Sequence, residues 1–129
     1  MIEPVWIEAD DAILINLQLI GAFGGLAAGA REGNLLLAAS ARPLNQWHYA
    51  ETRPSLFELA AAYTFGIARG HVFHDGNRRT AYTTAIAFLR KNGVDVAPPG
   101  GEIVETTVAL AEGALDEDAY AGWLLGHVR

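Results

Sequence analysis

The stretch Ser55-Leu56-Phe57-Glu58-Leu59-Ala60-Ala61-Ala62-Tyr63-Thr64-Phe65-Gly66-Ile67-Ala68-Arg69-Gly70 decides the fold class. Ser55 and Glu58 form an S-x-x-E capping box, in which each side chain satisfies an amide that the first turn of a helix leaves without a partner. Leu56, Leu59, Ala60, Tyr63 and Ile67 then recur at helical spacing, so one stripe of this helix must be buried. Gly70 is expected to supply a left-handed stop.

Outward from this helix the pattern repeats. Toward the carboxy terminus, a helix from about Gly76 to Asn92 buries Ala81, Ala85, Phe88 and Leu89. Arg90 and Lys91 lie favourably near its negative end, and Gly93 closes it. Pro98-Pro99-Gly100-Gly101 is a break. Helices over about Glu102 to Glu112 and Asp116 to His127 follow, the latter with Tyr120, Trp123 and Leu124 on one face. Toward the amino terminus, a helix over about residues 10 to 21 places Ile13, Leu14, Leu17 and Ile20 on one face and ends at Gly21. Another covers Glu32 to Ala41 and is expected to stop at Pro43. Arg42 to Arg53 reads as a loop or small flap. Strand-like alternation is confined to Val94-Asp95-Val96. The expectation is an all-α protein, a compact bundle of about six helices forming a single domain over residues 1–129.

Composition narrows the classes. The chain has 129 residues, 51% of them hydrophobic and none of them cysteine. That length buries one core without staples, and disulfides and thiolate metal sites are excluded. No apolar run reaches the roughly 18 residues of a membrane span, and no basic segment with a cleavage site opens the chain. A soluble, cytoplasmic protein is expected, without membrane contact. The net charge of −6 argues against nonspecific nucleic-acid binding, so no direct DNA binding is expected of the chain alone. Yet between residues 69 and 91 five basic residues (Arg69, Arg78, Arg79, Arg90, Lys91) face a single acid, Asp75. A local basic island suits a compact anion such as a nucleotide better than a long polyanion.

The chemistry concentrates in His71-Val72-Phe73-His74-Asp75-Gly76-Asn77-Arg78-Arg79-Thr80. The amides of Gly76, Asn77 and Arg78 fall at a helix start, where phosphate binds readily. Gly76, lacking a Cβ, lets the backbone approach an anion. Arg78 and Arg79 can make forked, charge-assisted bonds to phosphate oxygens. Asp75 can hold a magnesium ion that bridges phosphates. An unperturbed imidazole titrates at about 6.5, so His71 can take a proton from an attacking hydroxyl near neutral pH. Phe73 is the apolar anchor of the turn. Each residue also has a plainer reading: His71 as a structural loop residue, Asp75 as a helix cap, the arginines as solvated surface charges. A zinc site at His71 and His74 lacks a third soft ligand and the usual helical spacing. Trp6, Trp47 and Trp123 read as packing residues.

At these positions the chain resembles the Fic/Doc family, and within it the Doc ("death on curing") toxins, whose pattern H-x-F-x-[DN]-[AG]-N-K-R-T is met with Arg78 in place of lysine. Ala68-Arg69-Gly70 before the motif, Ala87 to Val94 after it, and Gly24-Gly25-Leu26 look like Doc flanks; the resemblance is strong from about residue 55 to 96. It implies that His71 is the general base, that Asp75 is the magnesium ligand, and that Asn77 and Arg79 contact phosphate, with Gly76 and Asn77 shaping the anion hole. Arg69 would lie beside the pocket, and Arg42 to Arg53 would be a flap that aligns a target peptide. Doc proteins are understood to transfer the γ-phosphate of ATP to a threonine of elongation factor Tu and so arrest translation, whereas Fic proteins transfer AMP. Arg78 fills the position where a Fic glycine leaves an anion hole open, and Tyr82 replaces the second Fic arginine. Both features favour kinase-type chemistry in a toxin of a toxin–antitoxin module. The alternatives are AMP transfer and a non-catalytic, nucleotide-binding regulator. Thr107 and Glu112-Gly113 are one residue out of register with the family's inhibitory-helix pattern. Control therefore falls to a Phd-like antitoxin whose tail helix lies in an apolar groove.

Overall fold

The computed structural model describes residues 2–129 and shows six helices: α1 (Ala9–Phe23), α2 (Leu35–Tyr49), α3 (Leu56–Gly70), α4 (Asn77–Lys91), α5 (Gly100–Glu112) and α6 (Glu117–Leu125). Among the described residues the only β pairing is two isolated bridges, Ala30 with Phe73 and Val96 with Val128. The all-α expectation holds. None of these helices is long and apolar enough to cross a membrane.

Helix α3 is the central element, packing against α2, α4, α5 and α6. Its capping box forms as expected: the Glu58 amide donates to Ser55 Oγ at 3.1 Å and the Ser55 amide donates to the Glu58 carboxylate. Leu59, Ala60, Tyr63 and Ile67 are buried, with Leu56 at the edge. Two apolar clusters result. The larger gathers Trp47, Leu59, Tyr63, Phe88, Leu89, Leu110, Tyr120 and Leu124; Trp6 stacks on Phe88 at its margin. The smaller joins Ala12, Leu36, Ile67, Phe73 and Ala81 beneath the His71–Thr80 segment. Each large side chain withdrawn from water in this way contributes about 1.5–3 kcal/mol before entropy is counted. Tyr63 ties in the amino-terminal segment, its hydroxyl donating to the Ile7 carbonyl (2.8 Å) and accepting from the Ile7 amide (2.9 Å).

Three boundaries and one buried face differ from expectation. Helix α2 does not stop at Pro43; it runs from Leu35 to Tyr49 with Pro43 buried inside it. Proline at that position leaves the Ala39 carbonyl without its usual amide donor. Packing compensates, because α3 presents Gly66 there: a Cβ on Gly66 would lie 3.2–3.3 Å from Ala39. The stretch from Arg42 to Tyr49 is therefore helix, not flap. Arg42 lies over the Phe65 ring and reaches Glu117 of α6, and Trp47 enters the core under the Arg53 guanidinium.

On α1, Leu14 and Leu17 stay more than half exposed, while Ala12 and Asn16 are buried. Helix α3 continues through Gly70, and the left-handed residue is His71 (φ 48°, ψ 51°). Helix α4 begins at Asn77, with Gly76 as its N-cap in left-handed geometry (φ 72°).

Candidate functional site

The turn between α3 and α4 is strapped down by residues 24–34, the non-helical segment between α1 and α2. The Arg31 amide donates to the Val72 carbonyl (2.9 Å) and the His74 amide to the Gly29 carbonyl (3.1 Å), which brackets the Ala30–Phe73 bridge. The Arg31 guanidinium donates to the His71 carbonyl at 2.9 Å. Phe73 is 1% exposed, so the anchor role expected for it holds. Within the turn, Asn77 closes a ring on Phe73: its Oδ1 accepts from the Phe73 amide (2.9 Å) and its Nδ2 donates to the Phe73 carbonyl (3.0 Å). The side-chain amide of Asn77 is thus occupied with the turn, and its main-chain amide is left at the start of α4.

An open cleft of about 580 Å³ lies over the amino end of α4. His71, His74, Asp75, Gly76, Asn77, Arg78 and Arg79 line it from the turn and the start of α4, joined by Gly24, by Tyr82 of α4 and by Ile103, Val104 and Thr107 of α5. The first backbone bond of α4 runs from the Thr80 amide to the Gly76 carbonyl (2.9 Å). The amides of Asn77, Arg78 and Arg79 precede it and have no carbonyl within the helix to satisfy them, whereas the Gly76 amide, expected among the free ones, is taken by Asp75 Oδ1. They meet the positive end of the helix dipole.

Six of the seven candidate residues come together here. Arg69, the seventh, is absent from the cleft lining; its guanidinium donates to the Ala111 carbonyl near the end of α5 (3.1 Å).

Asp75 is not the N-cap of α4. Its Oδ2 accepts from the Leu26 amide and its Oδ1 from its neighbour's Gly76 amide, both at 2.8 Å. Those two hydrogen bonds, the Leu26 one foremost, hold its carboxyl below the usual carboxylate range, with further help from the Arg79 charge. The group is ionised and reaches solvent in the cleft, and each oxygen keeps a lone pair beyond the one an amide occupies. Among the described residues no three His, Cys, Asp or Glu side chains gather as a metal cage. A hard cation here would take Asp75 as its one carboxylate and fill its other positions with water and phosphate oxygens, which suits magnesium. Arg79 lies over the Phe23 ring, 4.7 Å from its centroid, so the end of α1 steadies this guanidinium at the cleft edge.

Several contributors were not singled out from the sequence. Asn16, fully buried on α1, donates through Nδ2 to the Asp75 carbonyl (2.9 Å) and to Thr80 Oγ1 (3.1 Å); its Oδ1 accepts from the Gly29 amide (2.8 Å). The available signal was an asparagine one turn after Ala12, in a helix interior where its side chain has no local advantage. Arg31 carried no signal, because its function is to hold a carbonyl distant in sequence. Ile103 and Val104 line the cleft only because of where α5 packs.

Fold and cleft define a class: an all-α protein whose histidine-led turn and helix start face one open, cation-rich pocket. A sequence model of the Fic/DOC family matches residues 6–89, and the chain belongs to that family. It is similar to "Protein kinase doc" of Escherichia phage P1, with 35% identity over 118 residues that cover 92% of this chain and 91% of that protein. It is also similar to "Toxin Doc" of Mycolicibacterium smegmatis, with 43% identity over 76 residues that cover 59% of this chain and 58% of that protein.

Proposed function

We propose that this protein is the toxin of a toxin–antitoxin module and transfers the γ-phosphoryl group of ATP to a threonine hydroxyl of elongation factor Tu, arresting translation. The observation that carries the reading is the convergence of His71, Asp75, Arg78 and Arg79 on one cleft at the start of α4. The similarity to a phage protein called a kinase extends over 92% of the chain and adds support.

In this reading His71 is the general base. Its side chain is exposed in the cleft while its carbonyl is held by Arg31, so the backbone carrying the imidazole is fixed as the ring accepts the threonine proton. The threonine oxygen bonds to the γ-phosphorus, the bond from that phosphorus to the β–γ bridging oxygen breaks, and ADP departs. Arg78 and Arg79, with the amides at the start of α4, bind the phosphate oxygens and offset their charge. Asp75 would hold magnesium, which when bound neutralises and orients the phosphates. Arg69 would act at longer range, through its charge near the end of α5. Arg78 occupies the position after Asn77, where a glycine would leave room for a second phosphate, and this favours γ-phosphoryl over AMP transfer.

The cognate partner would be a Phd-like antitoxin. Leu14 and Leu17 on α1, with Phe23 and Leu26 beyond them, are 55–96% exposed, an apolar strip of the kind that a partner helix covers.

Intact mass of elongation factor Tu after incubation with the protein and ATP tests the proposal. The expected result is a phosphate-sized gain that disappears with His71→Ala. An AMP-sized gain would replace the reading with nucleotidyl transfer. No gain, with nucleotide still bound, would make the protein a regulator that works by binding.

A further inference from the structure

We infer that Asn16 is a positioning residue for Asp75, setting the angle at which that carboxylate meets the cation of a metal–nucleotide complex; the inference rests on the function proposed above. Asn16 is 0% exposed and belongs to a helix that adds none of its own charged groups to the cleft. Nothing about local helix stability calls for it, since an asparagine in a helix interior competes with the backbone rather than supporting it. Its three hydrogen bonds instead go to three separate elements: the Asp75 carbonyl in the turn, Thr80 in α4 and the Gly29 amide in the strap.

The bond to Asp75 matters most because of the peptide it grips. The plane between Asp75 and Gly76 precedes a glycine at φ 72°, and glycine tolerates backbone on either side of the map, so this plane resists a flip only weakly by itself. Asn16 Nδ2 holds its carbonyl end at 2.9 Å, while Asp75 Oδ1 holds its amide end at 2.8 Å. A flipped plane would break both bonds and release the carboxylate from Gly76. Space around Gly76 is set by the same side chain: a Cβ there would lie 3.5 Å from Asn16 Nδ2 and 3.1 Å from Ile20 Cδ1.

The strap end completes the arrangement. Asn16 Oδ1 takes the Gly29 amide, and three residues earlier the Leu26 amide binds Asp75 Oδ2. One buried amide therefore governs Asp75 from two directions, through its own carbonyl and through the strap that grips its carboxylate. Residues that orient a metal ligand in this way commonly change metal affinity or activity about 10- to 100-fold when removed.

The test is Asn16→Leu, which keeps the approximate shape and removes all three bonds. A non-hydrolysable ATP analogue is bound first without metal and then titrated with Mg²⁺. Amide hydrogen exchange at Gly29 is followed in parallel. Leu124→Ala, a core variant away from the cleft, serves as a comparator for lost stability. The expected result is a half-saturating Mg²⁺ concentration raised about 10- to 100-fold, metal-free analogue affinity unchanged, faster exchange at Gly29, and none of these shifts in Leu124→Ala. Wild-type Mg²⁺ affinity in a folded Asn16→Leu protein overturns this inference and leaves the proposed function standing. So does a loss shared equally by Leu124→Ala, because that would mark a stability effect. Wild-type protein that takes up no Mg²⁺ with the analogue overturns the parent reading and this inference together.

Discussion

At the scale of single residues, His71 carries two burdens that can be separated. It is the one non-glycine residue at positive φ among the described residues, and a side chain in the left-handed region costs about 1–2 kcal/mol relative to ordinary geometry. Helix α3 continues through Gly70, and the turn is made instead at the residue whose imidazole enters the cleft. Glycine at 71 should relieve the backbone while removing the ring. His71→Gly is accordingly expected to be more stable than His71→Ala by about 1 kcal/mol, with both variants devoid of transfer activity. Urea denaturation of the pair beside a transfer assay checks this, and equal stability would mean that the turn holds no strain. The residues of the motif were legible because their chemistry is local. Asn16 and Arg31 were not, because each acts on a backbone group that only folding brings near.

At the scale of elements, α2 shows where local rules yield to packing. Proline inside a helix removes one hydrogen bond and reads as a stop, yet the helix continues to Tyr49 and so places Trp47 on the same buried face as Leu36, Ala39 and Pro43. Gly66 permits the close approach to α3, with Ala39 atoms 3.2–3.3 Å from where a Cβ would stand. Gly66→Val should therefore push the two helices apart and destabilise the protein by about 1–3 kcal/mol. Gly122, in the exposed face of α6, has nothing within 4 Å, so Gly122→Ala should stabilise by about 0.5–1 kcal/mol through the lower entropy of the unfolded chain. Chemical denaturation of the two variants gives the signs directly; a harmless Gly66→Val would show that α2 can slide on α3. Helices α3, α4 and α6 were legible to within a residue or two because a local signal marks each, a cap in α3 and α6 and a buried apolar stripe in α3 and α4. Asp116, for instance, accepts from the Ala119 amide at 2.8 Å.

At the scale of the molecule, the two apolar clusters share α3 and α4, with Leu59 and Phe88 in one and Ile67 and Ala81 in the other. We propose that the chain is accordingly one domain that unfolds in a single transition. Its alkaline limit is expected to fall where its buried phenols ionise. Burial pushes the Tyr63 and Tyr120 hydroxyls up, Tyr120 to about 12, against hydrogen bonds from Ile7 and Thr107 that act the other way. An unfolded tyrosine releases its proton near 10.0, so above that pH the unfolded state binds fewer protons than the native one and stability falls as pH rises. Melting temperature is expected to be insensitive to these groups below pH 10 and to drop between pH 10 and 12. The part of the tyrosinate absorbance that belongs to the buried Tyr63 and Tyr120, as distinct from the exposed Tyr49, should appear in the same step as the loss of helix. Tyrosinate forming fully before unfolding would show that the two phenols are open to solvent.

Sequence alone determined the helical class, five of the six helices to within a few residues, and the segment on which the site is built. Those properties follow from caps, apolar period and residue chemistry, all of which act over a few positions. Tertiary structure alone decided that α2 passes through Pro43, that α1 buries Asn16 in preference to Leu14 and Leu17, and that residues 24–34 brace the motif turn. It also decided which wall α5 turns toward the cleft. Each of these depends on contacts between segments far apart along the chain, whose energies exceed the local preferences they override.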